Sequence, residues 1–247
     1  MKKAITVLMI VVILIANTIP ISAADTLIGG DKEKRVIVSG EKVLSDQQNR
    51  EYFLNLSDKD QQAILNKERF ALQFEKGIRT RWGSLVSVPN SFTIYQQLES
   101  VFCVPATIRS ILMYINGTAP SQYDIALDIG TSYDGTEPTA IAPYLNDMQS
   151  ASYYVYQPKS GFGQNTMCSR LYSTIAYHNV PASIGVNTSS TSWFYTVTGH
   201  SLAVIGIYED YSGIKIGDPA GGLVPGCPAF YIKDASTVYQ ACTRIVW

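Results

Sequence analysis

Two histidines and four cysteines limit the chemistry open to this chain of 247 residues. A zinc site built on histidine pairs needs more imidazoles than these, and no Cys-x-x-Cys occurs to build one from thiols. No Gly-x-Ser-x-Gly stretch is present to form the sharp turn of a serine nucleophile. A cysteine paired with a histidine remains. Cys103 stands at the head of an apolar helical run, where the helix dipole and unpaired N–H groups favour a thiolate. Cys168 falls inside a helical stretch, and Cys227 and Cys242 lie near the C-terminus outside any such context. The plainer alternative for Cys103 is a buried core thiol or one half of a disulfide. His200 opens an apolar run after Thr196-Val197-Thr198-Gly199, and Asp218 follows the next run in Gly217-Asp218-Pro219. Glu209 lies midway between them and begins a polar turn, so a hairpin folded there brings His200 and Asp218 together. A carboxylate on one ring nitrogen fixes the imidazole tautomer and supports the imidazolium formed in catalysis. Against this, aspartate before proline is an ordinary turn residue. His178 ends a helix ahead of Asn179, where a cation would meet the negative end of the helix dipole.

The elements that must position these groups are legible around them. Cys103 to Asn116 predicts a mostly buried helix, with Val104, Ala106, Ile108, Ile111, Leu112 and Ile115 facing nearly all round. Pro105 suits its first turn, and Asn116-Gly117 ends it. A second helix is expected from Asn165 to His178, stopped by Asn179 and Pro181. Strands are expected at Pro181 to Val186, at His200 to Tyr208, and at Ile214 to Gly217 beyond the turn Glu209–Gly213. Helices first and an antiparallel sheet after them make an α+β architecture.

Charge divides the chain. Residues 25–88 carry 21 charged side chains in 64 positions, and residues 89–247 carry 16 in 159, which puts a boundary near Gly83–Pro89. The first block reads as helical. Ser45 with Gln48 forms a capping box, and Ser57 with Asp60 a weaker one. Past Ser57, an apolar stripe of Ile64, Ala71, Phe74 and Ile78 is expected opposite Lys59, Lys67 and Lys76. Such a stripe must lie on something. It belongs either to a pro-segment covering the catalytic domain or to an N-terminal part of the mature fold.

Gln97 lies six residues before Cys103 in Gln97-Leu-Glu-Ser-Val-Phe-Cys103-Val-Pro-Ala-Thr, a spacing that resembles papain-like cysteine peptidases. Cys-Val-Pro-Ala, Gly199-His200 before an apolar strand, Gly217-Asp218-Pro219, and Leu127-Asp-Ile-Gly130-Thr131 with Gly135-Thr136 resemble the bacteriocin-leader (double-glycine) peptidases and their secreted relatives. The resemblance spans about residues 85–232. It implies a papain-like fold, with the nucleophile helix packed on an antiparallel sheet that carries the histidine and aspartate. It further implies Cys103 as nucleophile, His200 as general base then acid, Asp218 as orienter and Gln97 as side-chain donor to the oxyanion. Gln96, adjacent, is separated from that role by spacing alone. The family has glycine where this chain has Val104, which leaves the helix conformation intact and is expected to crowd the approach to the nucleophile.

Lys2 and Lys3, the apolar run Ala4–Ala16 and the small residues Ser22-Ala23-Ala24 read as a signal peptide over residues 1–24. A run of about a dozen apolar residues falls short of the ~20 that span a bilayer, and the alternative is an uncleaved anchor. The expected organisation is therefore a leader 1–24, a charged helical segment 25–85 and a peptidase domain 86–247, the product secreted and not held in the membrane. Removal of the leader leaves 17 basic against 20 acidic side chains, a balance that gives no reason to expect nucleic acid as partner. The expected activity is hydrolysis of peptide bonds in peptides or proteins without metal or organic cofactor. The alternatives are a cell-wall peptide hydrolase of the same fold and a catalytically silent extracellular binding module. With one thiol as nucleophile, Cys227 with Cys242 is the disulfide expected first.

Overall fold

Capping residues set where the chain first turns helical. In the computed structural model, which describes residues 39–75 and 83–247, Ser45 caps α1 (Asp46–Leu54). Its Oγ accepts from Gln48 N–H at 3.3 Å while Gln48 Oε1 accepts from Ser45 N–H at 3.0 Å. Ser57 caps α2 (Asp58–Glu75), its Oγ accepting from Asp60 N–H at 3.2 Å and donating to Asp60 Oδ2 at 2.6 Å. The leader over residues 1–24 lies outside the described residues, as do Lys76 and Ile78.

The chain continues through β1 (Leu85–Ser87), α3 (Cys103–Asn116), α4 (Gln122–Asp128), α5 (Ile141–Met148), β2 (Tyr156–Pro158) and α6 (Gln164–Ala176). It closes with β3 (Ala182–Val186), β4 (His200–Tyr208), β5 (Gly213–Gly217), β6 (Phe230–Asp234), α7 (Ala235–Ala241) and β7 (Cys242–Val246). The strands form one antiparallel sheet in the order β2-β7-β3-β4-β5-β6, with β1 also paired to β4. This is the α+β arrangement expected from the sequence. α3 and β4 take the expected bounds because both runs are apolar throughout and ended by unambiguous signals, Gly117 in the left-handed conformation for α3 and the turn at Glu209 for β4.

Two apolar clusters fix α3 and the sheet. Val104, Ile108, Ile111 and Leu112 of α3 meet Ile125 of α4 and Ile141 and Leu145 of α5. Met167, Leu171 and Ile175 of α6 meet Ile184, Val204 and Ile216 of the sheet. Each such side chain, withdrawn fully from water, contributes on the order of 1.5–3 kcal/mol. Thr107 Oγ1 donates to the Ser201 carbonyl at 3.1 Å, pinning α3 to β4 one residue beyond His200.

Two details depart from the sequence reading. Lys67, expected on the solvent face of α2, is buried at 8 % exposure and donates to the Tyr153 carbonyl at 2.7 Å. It stands three residues after Ile64 and four before Ala71, a spacing that places it within the stripe. The β4–β5 pairing is also offset from the simple midpoint. Ala203 lies opposite Gly217 and Ile207 opposite Ile214, with a bulge between Val204 and Gly206. No helix among the described residues is long and apolar enough to cross a membrane.

Candidate active site

Cys103 is the first residue of α3 and fully buried. His200, first residue of β4, and Asp218, just past β5, are also fully buried. His200 Nε2 lies 3.1 Å from Asp218 Oδ1. Nδ1, the other ring nitrogen, has no hydrogen bond, yet Cys103 is near enough to act on the ring. Burial works against a charged imidazole here. The interaction with Cys103 and the Asp218 hydrogen bond outweigh it and raise the His200 pKa to about 10.

Asp218 is held by more donors than the sequence revealed. Its Oδ2 accepts from Tyr195 Oη at 2.6 Å and Tyr231 Oη at 2.7 Å, and its Oδ1 accepts from Ala220 N–H at 2.8 Å. Cys227 Sγ approaches Oδ2 at 3.5 Å. Burial alone would push the carboxyl up; His200 and the two tyrosines outweigh it and keep Asp218 below the usual carboxylate range. Burial, with Asp218 beside them, holds the Tyr195 and Tyr231 hydroxyls and the Cys227 thiol protonated, so each remains a donor. Tyr195 also sets its ring edge-on to His200, centroids 5.2 Å apart. The one signal for these tyrosines was general: a buried carboxylate requires donors.

Gln97 is 5 % exposed, in the loop ahead of α3. Its Nε2 donates to the carbonyls of Glu99 at 3.0 Å and Ser100 at 2.9 Å, and its Oε1 is buried without a partner. Gln96 Nε2 donates to the Gly221 carbonyl at 2.8 Å. Val104, expected to crowd the nucleophile, is fully buried in the cluster with Ile108 and Ile141. The disulfide expected between Cys227 and Cys242 is not formed. Both are thiols, Cys227 turned to Asp218 and Cys242 at 3.4 Å from the Arg244 carbonyl. His178 follows α6 and packs edge-on to Phe70 with centroids 5.7 Å apart; burial and nearby Lys67 lower its pKa, so it is not the cation the helix end suggested.

A second stretch of chain lies against Cys103. Gly40 N–H donates to the Gly199 carbonyl at 3.0 Å, and Thr136 N–H donates to the Gly40 carbonyl at 3.0 Å. Lys42 N–H donates to the Thr136 carbonyl at 3.0 Å, so residues 40–42 form a parallel bridge with the Gly135-Thr136 segment. A Cβ on residue 40 would stand 2.7 Å from Cys103 Sγ and 2.6 Å from the Val101 carbonyl oxygen. Only glycine fits there.

A thiol at a helix N-terminus facing a histidine and carboxylate on an antiparallel sheet defines a papain-like cysteine-peptidase fold. The Peptidase_C39 like family model matches residues 89–241, and the chain belongs to that family of cysteine-type peptidases. Among solved structures, xylellain, a cysteine protease from Xylella fastidiosa, is similar at 12% identity and a TM-score of 0.46. The match covers 87% of this chain and 97% of that one. No curated protein is a significant sequence match.

Proposed function

We propose that this protein is a secreted cysteine peptidase in which Cys103, His200 and Asp218 act as a triad. The observation that carries the reading is His200, fully buried between a cysteine at a helix N-terminus and a carboxylate 3.1 Å from Nε2. The Cys103 thiolate attacks the substrate's carbonyl carbon, and the carbon–oxygen π pair moves onto oxygen. His200, protonated in the resting pair, gives its proton to the leaving amine as the tetrahedral intermediate collapses to a thioester. Neutral His200 then takes a proton from water, whose oxygen attacks the thioester, and the acid product leaves Cys103 as thiolate again. Asp218 holds the ring and offsets its positive charge throughout.

The oxyanion donors in this reading are the Cys103 backbone N–H, among the orphan donors of the first helical turn, and Gln97. Gln97 Nε2 commits both its N–H groups to Glu99 and Ser100, so donation to the oxyanion requires one of these bonds to be given up as substrate enters. Export rests on the leader read in residues 1–24. Hydrolysis of casein by the secreted protein, abolished by Cys103→Ala and by a thiol-directed covalent inhibitor, is the expected result. Zymography on cell-wall material separates a protein substrate from cross-link peptides. Stoichiometric labelling without hydrolysis of either substrate would refute a peptidase role.

A further inference from the structure

Residues 39–42 occupy the site as a ligand would. Ser39 Oγ accepts from the N–H groups of Thr198 at 3.0 Å and Gly199 at 3.3 Å, immediately ahead of His200. Gly40 follows against Cys103 Sγ, and its carbonyl is bonded to Thr136 N–H rather than turned toward the first N–H groups of α3. Gly199 admits the backbone, since a Cβ there would fall 1.9 Å from the Glu41 carbonyl oxygen. The Glu41 side chain then runs inward past Gly185, whose Cβ would collide with Glu41 Oε1 at 2.1 Å. It ends against Arg244. The Arg244 Nε donates to Glu41 Oε1 at 2.9 Å and its Nη2 to Oε2, while Nη1 and Nη2 also reach Ser183 Oγ at 2.7 Å and Ser201 Oγ at 2.9 Å. Glu41 is 3 % exposed and Arg244 1 %.

We infer that the subsite floored by Arg244, beside Cys103, takes an acidic side chain of the substrate, and that residues 39–42 fill it as an internal pseudosubstrate. The inference rests on the peptidase reading for the word substrate, but the subsite is a matter of binding alone. A guanidinium buried with one carboxylate is costly to leave unpaired, so a displacing chain that brings a carboxylate of its own is favoured over one that does not. The fork of Arg244 donors matches a carboxylate in two parallel bonds, a geometry that a neutral amide does not satisfy. The Gly40 carbonyl is bonded to Thr136 N–H and not to an oxyanion donor, so the segment competes with substrate for the cleft without being cut itself.

The full-length protein tests this through the rate at which iodoacetamide labels Cys103, read by mass spectrometry. Gly40→Val drives the segment off the sulfur sterically, and Glu41→Gln weakens its anchor while keeping its shape; both are expected to label at least tenfold faster than the parent. The free tetrapeptide of residues 39–42, Ser-Gly-Glu-Lys, should then protect Cys103 in either variant at least tenfold better than Ser-Gly-Gln-Lys. Unchanged labelling in both folded variants overturns the pseudosubstrate, and equal protection by the two tetrapeptides overturns the acidic subsite. Glu-selective protection without hydrolysis of casein by either variant supports the subsite and counts against the peptidase reading alone.

Discussion

At the scale of single residues, Asp218 is positioned by its neighbours as much as it positions His200. Two tyrosine hydroxyls on Oδ2 and the Ala220 N–H on Oδ1 fix the carboxylate plane before the imidazole meets it. His200→Ala removes the base itself and is expected to lower kcat/KM on the order of 10³-fold or more. Asp218→Asn leaves the sulfur–imidazole pair in place and should cost less, while Tyr231→Phe, with Tyr195 still on the same oxygen, should cost less again. Near-normal rates for both His200→Ala and Asp218→Asn in steady-state assays would remove this hairpin from the active site. The four thiols divide in the same way. Cys103→Ala should abolish hydrolysis and keep the circular dichroism of the folded chain, whereas Cys168→Ala, inside α6, should leave turnover largely intact. An inactive Cys168→Ala beside an active Cys103→Ala would reverse the assignment.

At the scale of elements, what could be read in the sequence depended on whether a segment's own pattern decided its fate. α3 and β4 are apolar throughout and ended by turn chemistry, so neither depends on a distant partner for its bounds. The bulge between Val204 and Gly206 depends on how β4 and β5 twist together, and it moves Gly217 opposite Ala203 without a local sequence signal. Lys67 carries a charge that points to the solvent face, while its helical position puts it within the stripe, and position wins because Tyr153 supplies a carbonyl for the ammonium. The segment at Gly40 was invisible because its contacts are backbone bonds to Gly199 and Thr136, far along the chain. α2 shows the consequence for the charged N-terminal block. Its stripe lies on α6 and nearby residues: Phe74 packs on Tyr177 with centroids 4.5 Å apart and on Tyr172 at 5.8 Å, and Glu68 bridges Arg170 at 3.1 Å. Phe74→Ala is therefore expected to lower stability by about 1–2 kcal/mol in urea unfolding, given its half-buried ring. It should leave kcat/KM per folded molecule unchanged; a rise in turnover would instead make α2 part of the occlusion.

At the scale of the whole molecule, the buried ion pair ties stability to pH through the same groups that do the chemistry. His200 has a folded pKa of about 10, against roughly 6.5 for an unfolded histidine. A raised base contributes stability that is fully present below about 6.5 and is lost as pH rises through 10, because the unfolded chain releases its proton earlier. Asp218 acts at the other end: its folded pKa is depressed, so its contribution is present above the ordinary carboxylate pKa and fades as pH falls. The His200 titration is the more informative of the two, because its largest supporting cause is Cys103. Burial opposes the charge on His200, and the Cys103 sulfur does most to reverse that, ahead of the Asp218 hydrogen bond. Cys103→Ala should therefore bring the His200 pKa down while Asp218 still supports the imidazolium. ¹⁵N chemical shifts of the His200 ring, followed between pH 6.5 and 10, should show the proton leaving at lower pH in Cys103→Ala than in the parent. Superimposable ring titrations for the two proteins would mean that Cys103 carries no charge beside His200, and the resting thiolate–imidazolium pair would have to be abandoned.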